Sequence, residues 1–289
     1  MSSKRPARAI LFFVLPFGLL FTAFYLAPIG YAIKQSLYKV QRTGTFGPAT
    51  EVFGGLEQYQ RVFQNGPFWE SIGRVLLFGV VQVPVMLGLA LLLALLLDSG
   101  LVKGRSFFRL AFFVPYAIPG VIAAIMWGFL YSPNLSPFTA VTSKWDLLSA
   151  DLVLWAMANV VTWVYVGYNM LIIYSSLLSI PQEVYEAARM DGAGPWRTAW
   201  SIKIPLVMPA IVLTTVFSII GTLQLLAEPQ VFRTFSSAVS STYTPNLTVY
   251  STSSIPNFNL AAAFSVVLAL ATCVLSFAFL KVTQKGDDK

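Results

Sequence analysis

Val75–Leu97 reads VLLFGVVQVPVMLGLALLLALLL, with no Asp, Glu, Lys or Arg anywhere in it. A helix needs about 20 apolar residues to cross a hydrocarbon core, and this run supplies them. Working outward in both directions, comparable runs lie near Ala9–Ile33, Leu110–Tyr131, Leu152–Leu178, Leu206–Ala227 and Leu260–Leu280. The whole composition agrees: of 289 residues, 56% are apolar, 15% aromatic and only 11% charged, outside the range of a soluble globular domain. The expected fold is therefore all-α and polytopic, with six transmembrane helices and both termini on one side.

The first run follows the basic segment SKRPAR, Ser3–Arg8. A cleaved signal peptide has an apolar core of roughly 7–15 residues; this one is longer and reads as a retained span. Basic residues set the orientation. Lys4, Arg5, Arg8, Lys103, Arg105, Arg109, Arg189, Arg197, Lys203, Lys281, Lys285 and Lys289 fall on the side of the termini. Lys34, Lys39, Arg42, Arg61, Arg74, Lys144 and Arg233 fall on the other. The first set is about threefold denser along its loops, which places the termini in the cytoplasm. Lys34, Lys39 and Arg42, close outside the first span, run against that assignment. A net charge of +7 could suggest nucleic acid, but charges at span ends and in short loops are accounted for by orientation in lipid. The expected organisation is 1–70 for the N-terminus, first span and outer loop, 71–281 for a five-span core containing the loop 179–205, and 282–289 for a cytoplasmic tail.

Histidine is absent, which removes the commonest metal ligand and neutral-pH acid–base group. The single cysteine, Cys273, allows no internal disulfide. No metal or catalytic constellation is expected, and the scattered carboxylates argue against a membrane-embedded enzyme. Pro16, Pro28, Pro84, Pro115, Pro119 and Pro209 fall within the runs; each removes a backbone donor and tends to kink its helix. Such breaks suit bundle packing and transport pathways alike. No ionisable residue is expected deep in a span, where proton- or voltage-coupled proteins usually carry one, and no G-x-x-x-x-G-K-[ST] phosphate loop is present. Energy for any pumping would come from another subunit.

One stretch differs from its surroundings: SIPQEVYEAARMDGAGPWRTAW, Ser179–Trp200. Pro181 suits a first helical position with Ser179 or Ile180 as cap, and Glu183 suits the first turn. Val184, Ala187 and Ala188 form a small apolar stripe, Gly192 can take the left-handed conformation that ends a helix, and Pro195 can start the next one. The segment is expected as a short, stiff helix between the fourth and fifth spans. An ordinary interfacial loop helix accounts for the same residues.

EAARMDGAGPWRTAWSIKIP (Glu186–Pro205) resembles the cytoplasmic signature of permease subunits in binding-protein-dependent ABC importers. That signature is Glu-Ala-Ala, three residues, Gly, nine residues and Ile-x-Leu-Pro; here it reads Glu186-Ala187-Ala188, Gly192 and Ile202-Lys203-Ile204-Pro205, with Ile204 in place of Leu. FGGLEQYQRVFQNGPFWESI (Phe53–Ile72), FFRLAFFVPYAIPGVIAAIMWGFLY (Phe107–Tyr131) and TPNLTVYSTSSIPNFNLAAAFSVVL (Thr244–Leu268) are similar to segments of the carbohydrate-importer permeases. The Gly-Gly-Pro stretch usual in that family is here EPQVFRTFSSAVSS (Glu228–Ser241).

The resemblance implies the type I importer permease fold, termed MetI-like, in a bacterial cell membrane. It implies a second permease, expected to be a different chain, and a dimer of ATPase subunits that binds ATP and magnesium while this chain binds no cofactor. It also implies an extracytoplasmic solute-binding protein and a carbohydrate substrate. Glu186, Ala187, Ala188, Asp191 and Gly192 would dock in a cleft of the ATPase. For the solute path, helical periodicity of about 100° per residue groups Asn159, Thr162, Tyr165 and Asn169 on the fourth span. It likewise groups Ser218, Gln224 and Glu228, with Thr214, Phe217 and Gly221, on the fifth. Amides, hydroxyls and aromatic faces suit a sugar; interhelical hydrogen bonding suits the same residues. Glu228 is expected at the hydrated outer mouth. A self-sufficient secondary transporter or facilitator is the rival reading, distinguished by independence from ATP.

Overall fold

The computed structural model describes residues 5–42, 47–100, 102–254 and 257–287. Lys4 and Lys289, assigned above to the side of the termini, lie outside those residues, as does the end of the tail 282–289. The chain forms two units, one of Met1–Gly66 with Thr248–Leu270, the other of Pro67–Leu247 with Ala271–Lys289.

The first unit opens with α1 (Arg5–Phe21), a π-helical turn at Thr22–Leu26 and α2 (Ala27–Ser36). Phe17, Phe21 and Tyr25 stack at successive i,i+4 positions, 5.8 and 5.3 Å apart, the spacing at which helical side chains meet. The outer loop then forms a hairpin that hydropathy does not signal: β1 (Tyr38–Arg42) runs antiparallel to β2 (Ala49–Phe53), Tyr38 opposite Phe53 and Arg42 opposite Ala49. The loop helix α3 (Glu57–Phe63) is tied to the hairpin by an ion pair from Lys39 to Glu57, with Arg61 on the same carboxylate at 2.8 Å. The Lys39 hydrogen bond is the main reason the Glu57 carboxyl sits below its ordinary range.

In the second unit, α4 (Gly66–Asp98) is a 33-residue helix that runs through Pro84. Between Val75 and Leu97 it is apolar on all sides except at Gln82, as suits a helix with lipid or protein on every face. The third expected span, Leu110–Tyr131, is instead a bent pair: α5 (Arg105–Phe113) with a 3-10 turn at Val114–Ala117, then α6 (Gly120–Tyr131), at 96°. The cause is local. Pro119 cannot donate and forces its predecessor out of the helical region, so Ile118 and Pro119 are both extended (ψ 127° and 131°) and turn the chain.

Beyond the short α7 (Thr139–Thr142) comes α8 (Val153–Leu178). It is followed by α9 (Gln182–Met190), α10 (Pro195–Thr198), a π turn at Ala199–Lys203 and α11 (Ile204–Leu206). α12 (Met208–Leu223) and α13 (Ala227–Phe232) complete the fifth span; α14 (Pro245–Ser254) and α15 (Phe258–Asp287) follow, their stretch Thr248–Leu270 belonging to the first unit. Among the described residues, five stretches are long and apolar enough to cross a membrane, six if the bent pair counts as one.

Buried clusters hold this unit, and two of them are the largest among the described residues. One joins Phe78, Ala123, Met157, Val160, Phe232 and Leu247; the other joins Ala90, Ala94, Leu97, Ile173, Leu177 and Val207. Crossings rely on small residues, as membrane bundles do: a Cβ on Gly79 would stand 3.1 Å from Thr222 Cγ2, and one on Gly128 2.5 Å from the Phe235 ring.

Candidate functional site

α8, which ends at Leu178, leads directly into the expected stiff segment. Ser179 does not cap the helix that follows, because its hydroxyl donates to the Ser176 carbonyl at 2.7 Å. Pro181 (φ −60°, ψ 142°) stands one residue before the helix rather than at its first position, and α9 starts at Gln182. Its extended ψ breaks the chain direction, and its carbonyl still accepts from Val184 N at 3.1 Å. At the other end Gly192 is left-handed (φ 73°). The amides of Asp191, Gly192 and Ala193 close the last turn onto the carbonyls of Ala187, Arg189 and Ala188, the closure that suits a glycine. Gly194 then precedes Pro195, the first residue of α10.

The small apolar stripe divides. Ala188 is buried and Val184 half-buried, whereas Glu186, Ala187, Asp191 and Gly192 are exposed. Met190 is 89% and Trp196 77% exposed, so this loop presents apolar side chains outward. Tyr185 turns inward under Lys203; burial first, and the Asp98 carboxylate second, push its phenol above the ordinary range, so it stays neutral.

The helices flanking this loop wall a cavity of about 600 Å³. Of the residues expected along a solute path, Tyr165 and Asn169 of α8 and Ser218, Gln224 and Glu228 of the fifth span line it; Asn159 and Thr162 are not among the lining residues. Asn159 Nδ2 donates to Tyr131 Oη at 2.7 Å, and Thr162 Oγ1 accepts from Gln82 Nε2 at 3.2 Å. Asn169 also has a packing duty, donating to the Tyr165 carbonyl at 3.1 Å. Tyr165 and Tyr168 flank Tyr116, which stacks on Tyr168 at 4.5 Å and meets Tyr165 edge-on at 5.7 Å. An aromatic surface thus stands beside the amides.

Periodicity alone missed Gln82, Tyr168 and Gln230, which also line the cavity. Gln82 had a readable signal, being the lone polar side chain between Val75 and Leu97.

Glu228 corrects an expectation. Where an exposed carboxylate was expected, it is 7% exposed and lines the cavity. The fifth span breaks after Leu223 and restarts at Ala227, which carries Glu228 into the first turn of α13, beside Gly120 at the start of α6. The break is stabilised from a distance: Asn246 Nδ2 donates to the Gln224 carbonyl and Thr244 Oγ1 to the Leu225 carbonyl, both at 2.9 Å. Freed carbonyls at membrane depth need such partners.

Residues 86–285 match the family described as binding-protein-dependent transport system inner membrane component. The lactose transport system permease protein LacF of Rhizobium radiobacter is 32% identical over 281 residues, covering 92% of this chain and 90% of that protein. The sn-glycerol-3-phosphate transport system permease protein UgpA of Agrobacterium fabrum is 30% identical, covering 72% and 73%. Among solved structures, a bacterial ABC transporter involved in the import of the acidic polysaccharide alginate contains a chain of the same fold, with TM-score 0.77 at 18% identity and coverage of 97% and 96%. This chain, with its apolar helices and its cavity, belongs to the family of binding-protein-dependent transport system inner membrane components.

Proposed function

We propose that the chain is one of two permease subunits of an ATP-driven importer and walls half of the path for a sugar or oligosaccharide. A second, unlike permease supplies the other half. A pair of ATPase subunits binds ATP and magnesium, this chain binds neither, and an extracytoplasmic solute-binding protein delivers the solute. α9 docks in the ATPase through Glu186, Ala187, Ala188, Asp191 and Gly192. Both termini and the 179–205 loop face the cytoplasm of a bacterial cell, in line with the basic-residue density.

One observation carries this reading. The exposed helix α9 is strung between α8 and α12, and residues of those two helices wall the cavity. The segment that carries α9 thus connects in sequence to both of those helices, which is the route by which a displacement of α9 would reach the solute path. The sugar class draws on the LacF likeness and on the wall chemistry. No Lys or Arg is among the described lining residues, so the wall offers no cation to a phosphate ester, whereas its amides, hydroxyls and the Glu228 carboxyl group suit the hydroxyls of a sugar.

The test is uptake by the whole importer reconstituted in vesicles. Uptake is expected to require ATP inside; accumulation by this chain alone, without nucleotide, would establish the rival secondary transporter. Within that assay Tyr165→Ala is expected to raise KM about fivefold to tenfold with kcat little changed. Loss of an aromatic contact costs about 1 kcal/mol, and it is lost from ground state and transition state alike. An unchanged KM would remove Tyr165 from the solute path.

A further inference from the structure

We propose that Asp98, Lys203 and Tyr185 form a strut holding α9 to the end of α4. On the importer reading above, on which this rests, the strut delivers the displacement of α9 to the bundle.

Lys203 Nζ lies 2.5 Å from Asp98 Oδ2, with side chains only 14% and 13% exposed. The same ammonium stands 5.2 Å from the centre of the Tyr185 ring on α9, and the Tyr185 hydroxyl is buried with no hydrogen-bond partner among the described residues. The Lys203 cation is thus shared by Asp98, the last residue of α4 and 105 positions away from it in sequence, and by the inward face of α9. Both attractions are strengthened by removal from water, and the pair is costly to break one side at a time.

Little else fastens α9. Ala188 is its one buried residue, and Glu183, Glu186, Ala187, Arg189 and Met190 are exposed. Beside the pair lies the cluster of Ala94, Leu97, Tyr174, Leu177 and Val207, with Ile180 packed against it. That cluster joins the ends of α4 and α8 to the chain entering α12. A push that enters through Tyr185 and Lys203 meets this packed interior, which transmits strain rather than absorbing it. Lys203 occupies the unspecified position of the Ile-x-Leu-Pro pattern, so the signature assigns it no role.

The test is hydrogen exchange of residues 182–190 in the whole importer held in lipid nanodiscs, which needs no solute. Asp98→Asn, Lys203→Met and Tyr185→Ala are each expected to speed exchange of α9 at least about fivefold, the lower end of ordinary coupling between sites, with α8 unchanged. The double variant D98N/K203M is expected to be no worse than either single, since it leaves no orphaned charge. Lys203→Arg and Tyr185→Phe are expected to behave as wild type. A second readout separates positioning from simple destabilisation. With radiolabelled lactose as probe, uptake per ATP hydrolysed falls in the three single variants, whereas an unstable complex would lose both activities together. Unchanged exchange of α9 in the single variants, or additive losses in the double, would overturn the strut. Wild-type lactose uptake without ATP would instead overturn the importer reading and leave the exchange result to judge the contact.

Discussion

Gly192→Val leaves the protein inserted in the membrane at normal levels and lowers solute uptake at least about tenfold, because a β-branched residue held left-handed costs roughly 1–3 kcal/mol. The site isolates this backbone effect. Gly192 has φ 73°, and a Cβ there would meet nothing within 4 Å, so the substitution clashes with no neighbour and acts through the turn alone. Relief of the strain requires φ to move toward negative values. That move opens the closure in which Gly192 and Ala193 donate to the carbonyls of Arg189 and Ala188, and it re-aims α10, with Trp196, relative to α9. On the proposed function those exposed groups enter a cleft of the ATPase, where a misdirected helix does not fit. Gly192→Asn supplies the control. Asparagine tolerates the left-handed region far better, and that variant is expected to keep most of the uptake. The measurement pairs uptake with membrane abundance in cells lacking the native copy. Wild-type uptake by the valine variant would remove Gly192 from the docking assignment.

That this glycine could be singled out from sequence reflects how local its physics is: a helix end and a residue without a Cβ explain each other within four positions. The same holds for the long apolar runs, since a bilayer imposes its length requirement segment by segment. What escaped the sequence depends on distant partners. The bend between α5 and α6 was foreshadowed by Pro115 and Pro119, but a proline states only that a donor is missing, and the 96° angle follows from two successive extended residues. The interruption between α12 and α13 was invisible, because its carbonyls at Gln224 and Leu225 are satisfied by Asn246 and Thr244, some twenty positions along. The position of Glu228 in the cavity wall follows from that break. Asn159 shows the opposite limit. It lies on the polar stripe with Tyr165 and Asn169, yet donates to Tyr131 on α6; periodicity finds the face of a helix and cannot tell a neighbouring helix from a cavity.

Gly167→Ala is expected to be the most damaging single-atom-scale change in the second unit, although alanine is the better helix former by about 1 kcal/mol. Gly167 lies in the middle of α8, where propensity argues against it, and the reason for its presence is the crossing with α5. A Cβ at Gly167 would overlap the carbonyl of Phe112 and stand 3.0 Å from Phe113 N. Those are backbone atoms, so no side chain can rotate away; α5 or α8 must move as a body. Small residues let membrane helices approach this closely, and packing at such contacts is what holds the bundle together in lipid. Overpacking a tight interior typically costs 1–3 kcal/mol, occasionally more, and a backbone clash belongs at the upper end. Displacing α5 also pulls Tyr116 from its stack on Tyr168, so the aromatic side of the cavity opens with the crossing. The expected result is a lower apparent melting temperature of the detergent-solubilised complex for Gly167→Ala, and failure of Gly167→Leu to accumulate in the membrane. Gly88→Ala is the matched comparison: it too lies within a long apolar helix, but a Cβ there meets nothing within 4 Å, so its melting temperature should equal or slightly exceed that of the wild type. Equal melting for Gly167→Ala and Gly88→Ala would mean that α5 and α8 do not cross at this distance, and the wall formed by Tyr116, Tyr165 and Tyr168 would have to be redrawn.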